Sequence, residues 1–474
     1  MLEPQKELIS LNEALVEISA KAESFGLDFY DIFFEICPSD IIYTFGAYGM
    51  PTRFSHWTFG KAYHRMKAQY DYNLERIYEL VINTDPCYAF LLDGNSLIQN
   101  KLIMAHVIAH CDFFKNNSYF KNTTRSMVES MAVAANRFRE YEFLYGRDTV
   151  ESFLDAAMSI SEHVEPRRLI KKSCSKADTV QQGYRPQRKE TPYDDLWSLD
   201  ELDQCHCATG RLQKRFPPEP KKDLMLFIIE NSKELEEWQR DIMSVLRQEM
   251  LYFWPQMETK IINEGWATYW HLRIMREIEM NEADALEFAK LHSGIIQTTP
   301  TRINPYTLGL KIFEDIEKRW DNPTPEEREK YGRQGGEGKQ KIFEVRAMEN
   351  DISFLRNYLT KELVEELDLY LYKKVGYDWK VSEKAWENVR DGLINSLINC
   401  GFPYIEVQDG DYNKKGELYL KHCFEGDELD VYYLEKTLAH VYTLWGKTVH
   451  LETCLAEKTV VFSYDGDKCA KKIL

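Results

Sequence analysis

Apolar residues recur at helical spacing through most of the first three quarters of the chain. In six long segments the apolar positions lie three and four residues apart, which is the pattern of a helix that buries one face. These segments are Leu8–Ala22, Leu97–Phe114, Arg125–Tyr145, Val150–Ser161, Ser232–Leu251 and Gln256–Glu279. The pattern therefore predicts a mainly helical protein.

Two polar stretches interrupt this pattern. The first, at about 165–223, is rich in proline and charge, so we predict a long surface excursion from a helical domain. The second, NPTPEEREKYGRQGGEGKQ, begins at Asn322 and predicts a flexible loop. Helical spacing then resumes at Ile342 and predicts two further helices, Val345–Tyr358 and Lys361–Lys373.

The last eighty residues carry a different pattern. YIEVQDGDYNKKGELYLKHC and TVHLETCLAEKTVVFSYDG alternate apolar and polar positions around polar turns, which predicts two β-hairpins. Helical spacing at Leu434–Leu444 places a helix between them. We therefore predict a helical domain at 1–330, a helical extension at 331–394 and a small α+β module at 395–474.

Composition and charge limit the cellular locations that we expect for the protein and the classes of partner that it can bind. The formal net charge of -17 argues against nucleic-acid binding, which needs clustered Lys and Arg. No apolar run reaches the roughly 18 residues of a membrane span, and the acidic, amphipathic N-terminus is unlike a signal or transit peptide. We therefore expect a cytoplasmic protein without a membrane span.

The cysteines give only a weak metal signal. Ten are scattered without the spacing of a disulfide framework, and in a reducing compartment most should be small buried apolar residues. Cys205, His206 and Cys207 form the one cluster, but a single CxC without a second pair rarely marks a zinc site.

A histidine pair gives a stronger signal. LIMAHVIAHCDFFKNN places His106 and His110 four residues apart within an apolar helix, so both imidazoles lie on one face. A second predicted helix carries Glu264 and His271 seven residues apart, which is two turns along one face. Two helices thus offer three histidines and a glutamate to one point.

A divalent metal explains this set well, with zinc favoured by the nitrogen and oxygen donors. An ionised carboxylate among apolar neighbours would otherwise cost several kcal/mol to bury. We assign His106, His110 and Glu264 as metal ligands, and His271 as a fourth ligand or an acid or base. The alternative is a metal-free network of hydrogen bonds between buried helices.

Seven segments between about residue 28 and residue 360 match a known family. They are FYDIFFEICPSDIIYTFGAYGMPTRFSHWTFGKAY, INTDPCYAFLLDGNSLIQNKLIMAHVIAHCDFFKNN, YGRDTVESFLDAAMSI, PPEPKKDLMLFI, YFWPQMETKIINEGWATYWHLRIM, HSGIIQTTPTRINPY and DISFLRNYLT. On these segments the chain resembles the SpoVR family, the stage V sporulation protein R family, and the resemblance is fainter through the C-terminal hairpins. It implies a cytoplasmic protein of spore-forming bacteria that is needed for the peptidoglycan cortex of the spore, although relatives occur in bacteria that make no spores.

The order HxxxH and then NEGWA is similar to the layout of gluzincin metallopeptidases, in which a second helix supplies the glutamate. It implies a multi-helix domain with a gluzincin-like pair of helices. Val107 stands where those enzymes keep the glutamate that activates water. We assign this general base to His271, with Glu142 second and Glu140 or Glu264 as further candidates, unless the site binds metal without hydrolysis.

Two functional hypotheses follow. The first is a metal-dependent hydrolase or amide-modifying enzyme that acts on a peptidoglycan precursor or on a protein of cortex synthesis. The second is a non-catalytic assembly or regulatory factor of cortex synthesis, in which the His/Glu cluster is structural. Bound metal distinguishes the first hypothesis from the second.

Overall fold

Helices make up most of the computed structural model, which describes residues 3–71, 79–167, 216–299, 302–376 and 378–474. The chain divides into two compact units. The first comprises residues 1–154 and 248–402, and the second comprises residues 155–247 and 403–474. The helices are α1 (Glu3–Ser24), α2 (Ser39–Tyr48), α3 (Trp57–Asp71), α4 (Leu97–Asn116), α5 (Met127–Tyr145), α6 (Arg147–Met158), α7 (Leu224–Asn231), α8 (Glu237–Glu258), α9 (Lys260–Arg276), α10 (Glu282–Ile295), α11 (Pro305–Asp321), α12 (Pro325–Tyr331), α13 (Gly338–Met348), α14 (Asp351–Tyr358), α15 (Lys361–Glu366), α16 (Trp386–Leu397) and α17 (Val431–Trp445).

The strands of the described residues form three sheets. They are β1 (Ile32–Cys37), β2 (Glu79–Ile82), β3 (Cys87–Leu92), β4 (Leu371–Val375), β5 (Asp378–Glu383), β6 (Ile405–Tyr412), β7 (Glu417–His422), β8 (Val449–Leu455), β9 (Lys458–Tyr464) and β10 (Cys469–Ile473). The prediction of a mainly α protein with a small α+β C-terminal part is confirmed.

The sheet of the first hundred residues was not predicted. β3 lies in the middle, parallel to β1 and antiparallel to β2. Strands of four to six residues are too short for periodicity to separate them from helical segments, especially where both faces of a strand are covered, as in β3. Its loop leads directly into α4, which carries the histidine pair.

The predicted helices are present with shifted ends: Ser232–Leu251 is Glu237–Glu258, and Gln256–Glu279 is Lys260–Arg276. Two later predictions were wrong in a further way. Val345–Tyr358 is broken after Met348, because Asn350 accepts a hydrogen bond from the Ser353 amide and starts a new helix. The predicted helix Lys361–Lys373 ends at Glu366 instead, and β4 begins at Leu371. Between them Asp368 has a φ of 49°, in the left-handed region, and a helix cannot continue through that conformation.

The prediction of a flexible loop after Asn322 is wrong for its first part. Thr324 and Glu327 form a capping box, in which each side chain accepts a hydrogen bond from the other residue's amide, and this starts α12. The excursion at about 165–223 lies mostly outside the described residues, as do Cys205, His206 and Cys207. The predicted boundaries at 330 and 394 stay predictions.

The C-terminal strands form one five-stranded sheet in the order β10-β9-β8-β7-β6. The two predicted hairpins, β6-β7 and β8-β9, are confirmed, and α17 connects them so that β7 and β8 run parallel. β10 adds an antiparallel edge strand. The apolar face of α17 contributes Leu438 and Val441 to the core of this module.

Helices α4, α9 and α11 form the centre of the first unit. α4 is buried around its circumference, which explains why its sequence is apolar on every side. α9 and α11 approach so closely that a Cβ atom built on Gly265 would lie 2.4 Å from the Gly309 backbone. None of the described helices is long and apolar enough to span a membrane.

Candidate metal centre

α4 presents His106 and His110 on one face, as their spacing predicts. The helix begins at a capping box, where Ser96 accepts a hydrogen bond from the Gln99 amide and Gln99 accepts one from the Ser96 amide. One turn separates the two imidazoles, whose ring centroids are 4.5 Å apart at an angle of 88°. Both rings are buried.

α9 brings Glu264 to the same point. Glu264 Oε2 lies 3.5 Å from Nε2 of His106 and 3.5 Å from Nε2 of His110. The ligand atoms of the three residues all lie within 4.8 Å of one another, and among the described residues they are the one His/Cys/Asp/Glu group that could hold a metal ion. The structure thus brings together the three side chains that the sequence assigned as ligands.

The position of α9 depends on two features beside Glu264. Gly265, the next residue, lets α9 approach Gly309 of α11 at backbone contact distance. At the start of α9, the Asp351 carboxylate accepts hydrogen bonds of 2.9 Å from the amides of Ile261 and Ile262, which are among the unpaired donors of a helix N-terminus. Both features fix the position of α9, and with it the position of Glu264 relative to α4.

The donor set fits a small divalent cation. Two ligand atoms that each lie about 2.1 Å from a tetrahedral ion are about 3.4 Å apart, and the two Nε2–Oε2 distances are 3.5 Å. Glu264 Oε2 is also buried without a hydrogen-bond partner among the described residues. A buried carboxylate oxygen without a donor is costly, so this oxygen is suited to a cation.

The two imidazoles influence the ionisation of Glu264. Burial alone would raise the pKa of this carboxyl group, but hydrogen bonds and charge from His106 and His110, when protons are on their Nε2 atoms, lower the pKa below its ordinary value. A bound metal ion would take the place of those protons, because it binds the neutral imidazoles and the ionised carboxylate.

The remaining nitrogen of His110 is fixed by a neighbour of Glu264. His110 Nδ1 lies 3.0 Å from Asn263 Oδ1. An amide oxygen only accepts hydrogen bonds, so Nδ1 carries the proton and the lone pair is on Nε2, facing Glu264. This arrangement behind a ligand is common in metal sites, where it sets the tautomer and the ring orientation.

His106 is held by a chain of two further histidines. Its Nδ1 lies 2.9 Å from His271 Nδ1, and His271 Nε2 lies 3.1 Å from His292 Nδ1. If His106 Nδ1 donates, His271 accepts on Nδ1 and donates from Nε2 to His292. One consistent set of neutral tautomers thus leaves His106 Nε2 with a lone pair toward Glu264.

His271 therefore lies behind His106, in contact with its Nδ1. Sequence spacing correctly placed His271 on the face of α9 that carries Glu264. Burial, together with the neighbouring histidines, lowers the pKa of His271 well below its ordinary value. The imidazole is consequently neutral and is a weaker proton acceptor than a free histidine.

Glu142 and Glu140, the other candidates for the general base, lie near the C-terminal end of α5. Glu140 is exposed and lines a surface pocket together with Arg139, Phe143 and Leu144, and Glu142 is half-buried in the same turn. Val107 is fully buried in the apolar core. A carboxylate at that position would lie among apolar atoms, which accounts for the absence of a glutamate there.

A buried ion pair holds α4 against α9 and α13 just beyond the histidines. Arg346 Nη1 lies 3.0 Å from both carboxylate oxygens of Asp112, and Trp266 Nε1 donates a hydrogen bond of 2.8 Å to Asp112 Oδ2. Burial raises the pKa of Asp112 to about 6, although Arg346 opposes the shift. Asp112 thus joins three helices, and none of these contacts is to a histidine.

Known proteins resemble the chain along nearly its whole length. A family model described as "SpoVR like protein" matches residues 5–402, and a second, described as "SpoVR-like C-terminal domain", matches residues 403–456. The chain is 28% identical over 470 residues to the "Uncharacterized protein YcgB" of Escherichia coli (strain K12), which covers 93% of this chain and 91% of that protein. No solved structure matches the chain.

Proposed function

The chain belongs to the SpoVR family, and from that premise we propose that it is a metal-dependent enzyme of sporulation. Membership of the family supports a role associated with sporulation. In the proposal, His106, His110 and Glu264 hold one divalent cation, and zinc is the best match to two imidazoles and a carboxylate.

One observation carries the proposal. Three potential ligand atoms from two helices converge within 4.8 Å, and the carboxylate oxygen among them is buried without a hydrogen-bond partner in the described part of the chain. A structural network would be expected to satisfy that oxygen with a donor. A bound cation satisfies it directly.

The proposed reaction is hydrolysis or modification of an amide bond. A divalent cation would supply Lewis-acid chemistry, which polarises a carbonyl group and lowers the pKa of water. The proposed substrate is a peptidoglycan precursor or a protein that controls cortex synthesis, and the proposed location is the cytoplasm. These assignments rest on the resemblance to the family together with the chemistry of the donor set.

The surrounding residues have separate parts in this proposal. Asn263 and His271 orient the imidazoles of His110 and His106 through their Nδ1 atoms. The assignment of the general base to His271, with Glu142 second, stays a prediction. His271 Nδ1 contacts His106 Nδ1, and this contact favours a positioning role for His271. While His271 Nδ1 is engaged in this contact, it cannot also accept a proton from substrate or water.

Genetic complementation tests the proposed function. In a spore-forming strain that lacks its own copy of the gene, the Glu264→Gln variant should form no normal cortex, because an amide keeps the volume of glutamate but is a poor metal ligand. The matched control is Glu277→Gln, at an exposed carboxylate directly after α9, which should complement fully.

The variant proteins must accumulate to the same level for this comparison to hold. Normal cortex in the Glu264→Gln strain, with equal protein level, would contradict the enzyme proposal. That result would instead support an assembly or regulatory factor in which the His/Glu cluster is structural.

A further inference from the structure

A cleft of the first unit lies at the segment that precedes α11. Its volume is about 790 Å³, within the range of roughly 300 to 1,000 Å³ that is usual for small-molecule sites. One wall consists of residues 296–299 and 302–308, with Arg302 and Thr307. The opposite wall is the segment from Glu366 to Tyr372, together with Trp379 of β5.

Hydrogen bonds fix the first wall. Asn304 Nδ2 donates to the carbonyl oxygens of Ile295 and Gln297 at 2.7 and 2.9 Å, and Asn304 Oδ1 accepts a bond from the Tyr306 amide. Thr307 Oγ1 donates to the Ile296 carbonyl oxygen at 2.7 Å. These hydrogen bonds restrict the described backbone of the wall, which lowers the entropy cost of binding a ligand.

The charges of the cleft are separated between its two walls. Arg302 is the cation among the residues that line it, and its guanidinium makes no ion pair or hydrogen bond with a described residue. Glu366 and Asp368 lie on the other wall. Glu366 forms an ion pair of 3.4 Å with Lys311, so Asp368 is the acid left for a ligand, and its backbone is held in the left-handed region with a φ of 49°. Strained backbone of this kind is often found at binding sites.

Aromatic side chains lie on the side of the cleft that carries the acids. Trp379 is 55% exposed, although it is a large apolar residue. Tyr370 and Tyr372 are half-buried beside it, and the Tyr370 hydroxyl donates a hydrogen bond to Asp368 Oδ1 at 3.0 Å. An exposed tryptophan at the edge of a cleft provides apolar area for a ligand at a low ordering cost, because only two χ angles need to be fixed.

From the two charged walls and the aromatic side we infer that this cleft binds a short zwitterionic peptide. Arg302 takes the terminal carboxylate, Asp368 takes the terminal ammonium group, and Trp379 covers the chain between them. The pairing of guanidinium with carboxylate is the strongest contact of this kind. A ligand of either charge alone would leave one wall unpaired.

The first turn of α11 connects the cleft with the candidate metal centre. The Tyr306 ring stacks against His106 at a centroid distance of 6.0 Å, and the next residue, Thr307, lines the cleft. This inference deepens the proposed function, on which it rests for its chemistry: it makes the substrate of the amide-directed reaction a peptide. Binding in the cleft does not itself require metal.

Isothermal titration calorimetry with tri-alanine tests the inference. The full-length protein should bind the free tripeptide roughly tenfold more tightly than its C-terminal amide or its N-acetyl form, because each blocked end loses one charged hydrogen bond. Arg302→Gln should bind the free tripeptide about tenfold more weakly and no longer distinguish it from the amide. Asp368→Asn should likewise lose the distinction from the N-acetyl form, since asparagine tolerates a positive φ.

The control is Arg356→Gln, at an exposed arginine of α14 outside the cleft, which should bind all three peptides as the unchanged protein does. No binding of tri-alanine, or equal affinities in the Arg302→Gln protein and the unchanged protein, would overturn the inference. Binding of tri-N-acetylglucosamine independent of Arg302 would overturn it in favour of a sugar.

A second variant distinguishes failure of the cleft assignment from failure of the proposed metal site. The His106→Ala, His110→Ala double variant, with chelator present, should keep its affinity for tri-alanine. If the double variant binds tri-alanine normally and the unchanged protein contains no metal, the cleft assignment is correct and the proposed function is wrong. Loss of binding in the double variant alone would place the peptide at the histidines and overturn the cleft assignment.

Discussion

Replacement of Gly265 by alanine should destabilise the protein and weaken its metal site together. The added Cβ would lie 2.4 Å from both the Cα and the carbonyl carbon of Gly309, and 2.9 Å from its oxygen. All three atoms belong to the backbone, so no side chain can rotate away. Relief of the contact to an ordinary separation of about 3.5 Å needs α9 and α11 to move apart by about 1 Å.

The expected energy combines two opposing effects. Overpacking of a core costs about 1 to 3 kcal/mol, and a backbone contact belongs at the upper end of that range. Alanine also gains about 1 kcal/mol over glycine within a helix. The net expectation is a loss of about 2 kcal/mol in the free energy of unfolding of the unit that contains the site.

The same shift would move Glu264, the adjacent residue, relative to His106 and His110. A displacement near 1 Å is large against metal–ligand distances of about 2.0 to 2.2 Å, so metal affinity should fall at least tenfold. Circular dichroism during thermal and urea unfolding measures the first effect, and competition with a chelator dye measures the second.

The matched control is Gly60→Ala, in α3, where nothing lies within 4 Å of the added atom. That variant should be as stable as the unchanged protein or up to about 1 kcal/mol more stable. If Gly265→Ala behaves like Gly60→Ala in both assays, the close approach of α9 and α11 does not hold the site.

Two further predictions concern residues that support the site. Burial raises the pKa of Asp351 to about 7 from its ordinary 3.8, so the stability it contributes is fully present below pH 3.8 and is lost as pH rises through about 7. The melting temperature of the unchanged protein minus that of Asp351→Asn should therefore fall between pH 5 and pH 8, and parallel melting curves across that range would show that Asp351 does not titrate there. Asn263→Leu removes the acceptor of His110 Nδ1 and should weaken metal binding by about 10- to 100-fold, whereas Asn263→Asp should retain it; equal affinity in all three proteins, measured by chelator competition, would remove Asn263 from the site.

Local patterns predicted most of the helical part of the fold. Helical spacing located α4 and α9, and Ser96 with Gln99 marks the start of α4 in the sequence as in the structure. The short strands β1, β2 and β3 were not predicted, because four to six residues are too few to show the periodicity of a strand. Asp368 ended a predicted helix early, since its positive φ is not visible in a helical pattern.

The site was predictable only in part, for physical reasons. Spacing within one helix shows which side chains share a face, so His106 with His110 and Glu264 with His271 could be paired. Asn263 lies beside Glu264 in sequence but about 100° away around the helix, so its contact with His110 follows only from the packing of α4 on α9.

The close approach of Gly265 and Gly309 is likewise a fact of packing, as it joins residues of two different helices. A glycine inside a helical pattern was a usable signal, because it costs about 1 kcal/mol there and therefore has a structural reason. The hydrogen-bonded chain of His106, His271 and His292 could not be predicted from the sequence. Spacing shows which face of α9 carries His271, but it does not show which histidine nitrogens are in contact.

Elemental analysis of protein purified without added metal tests most directly whether His106, His110 and Glu264 bind a metal ion. The unchanged protein and a His64→Ala control, which alters an exposed histidine of α3, should each contain about one divalent ion per chain. The His106→Ala, His110→Ala double variant should contain almost none, while circular dichroism shows that it is folded. Equal metal content in the double variant and the unchanged protein, or no metal in either after incubation with zinc, would contradict the account.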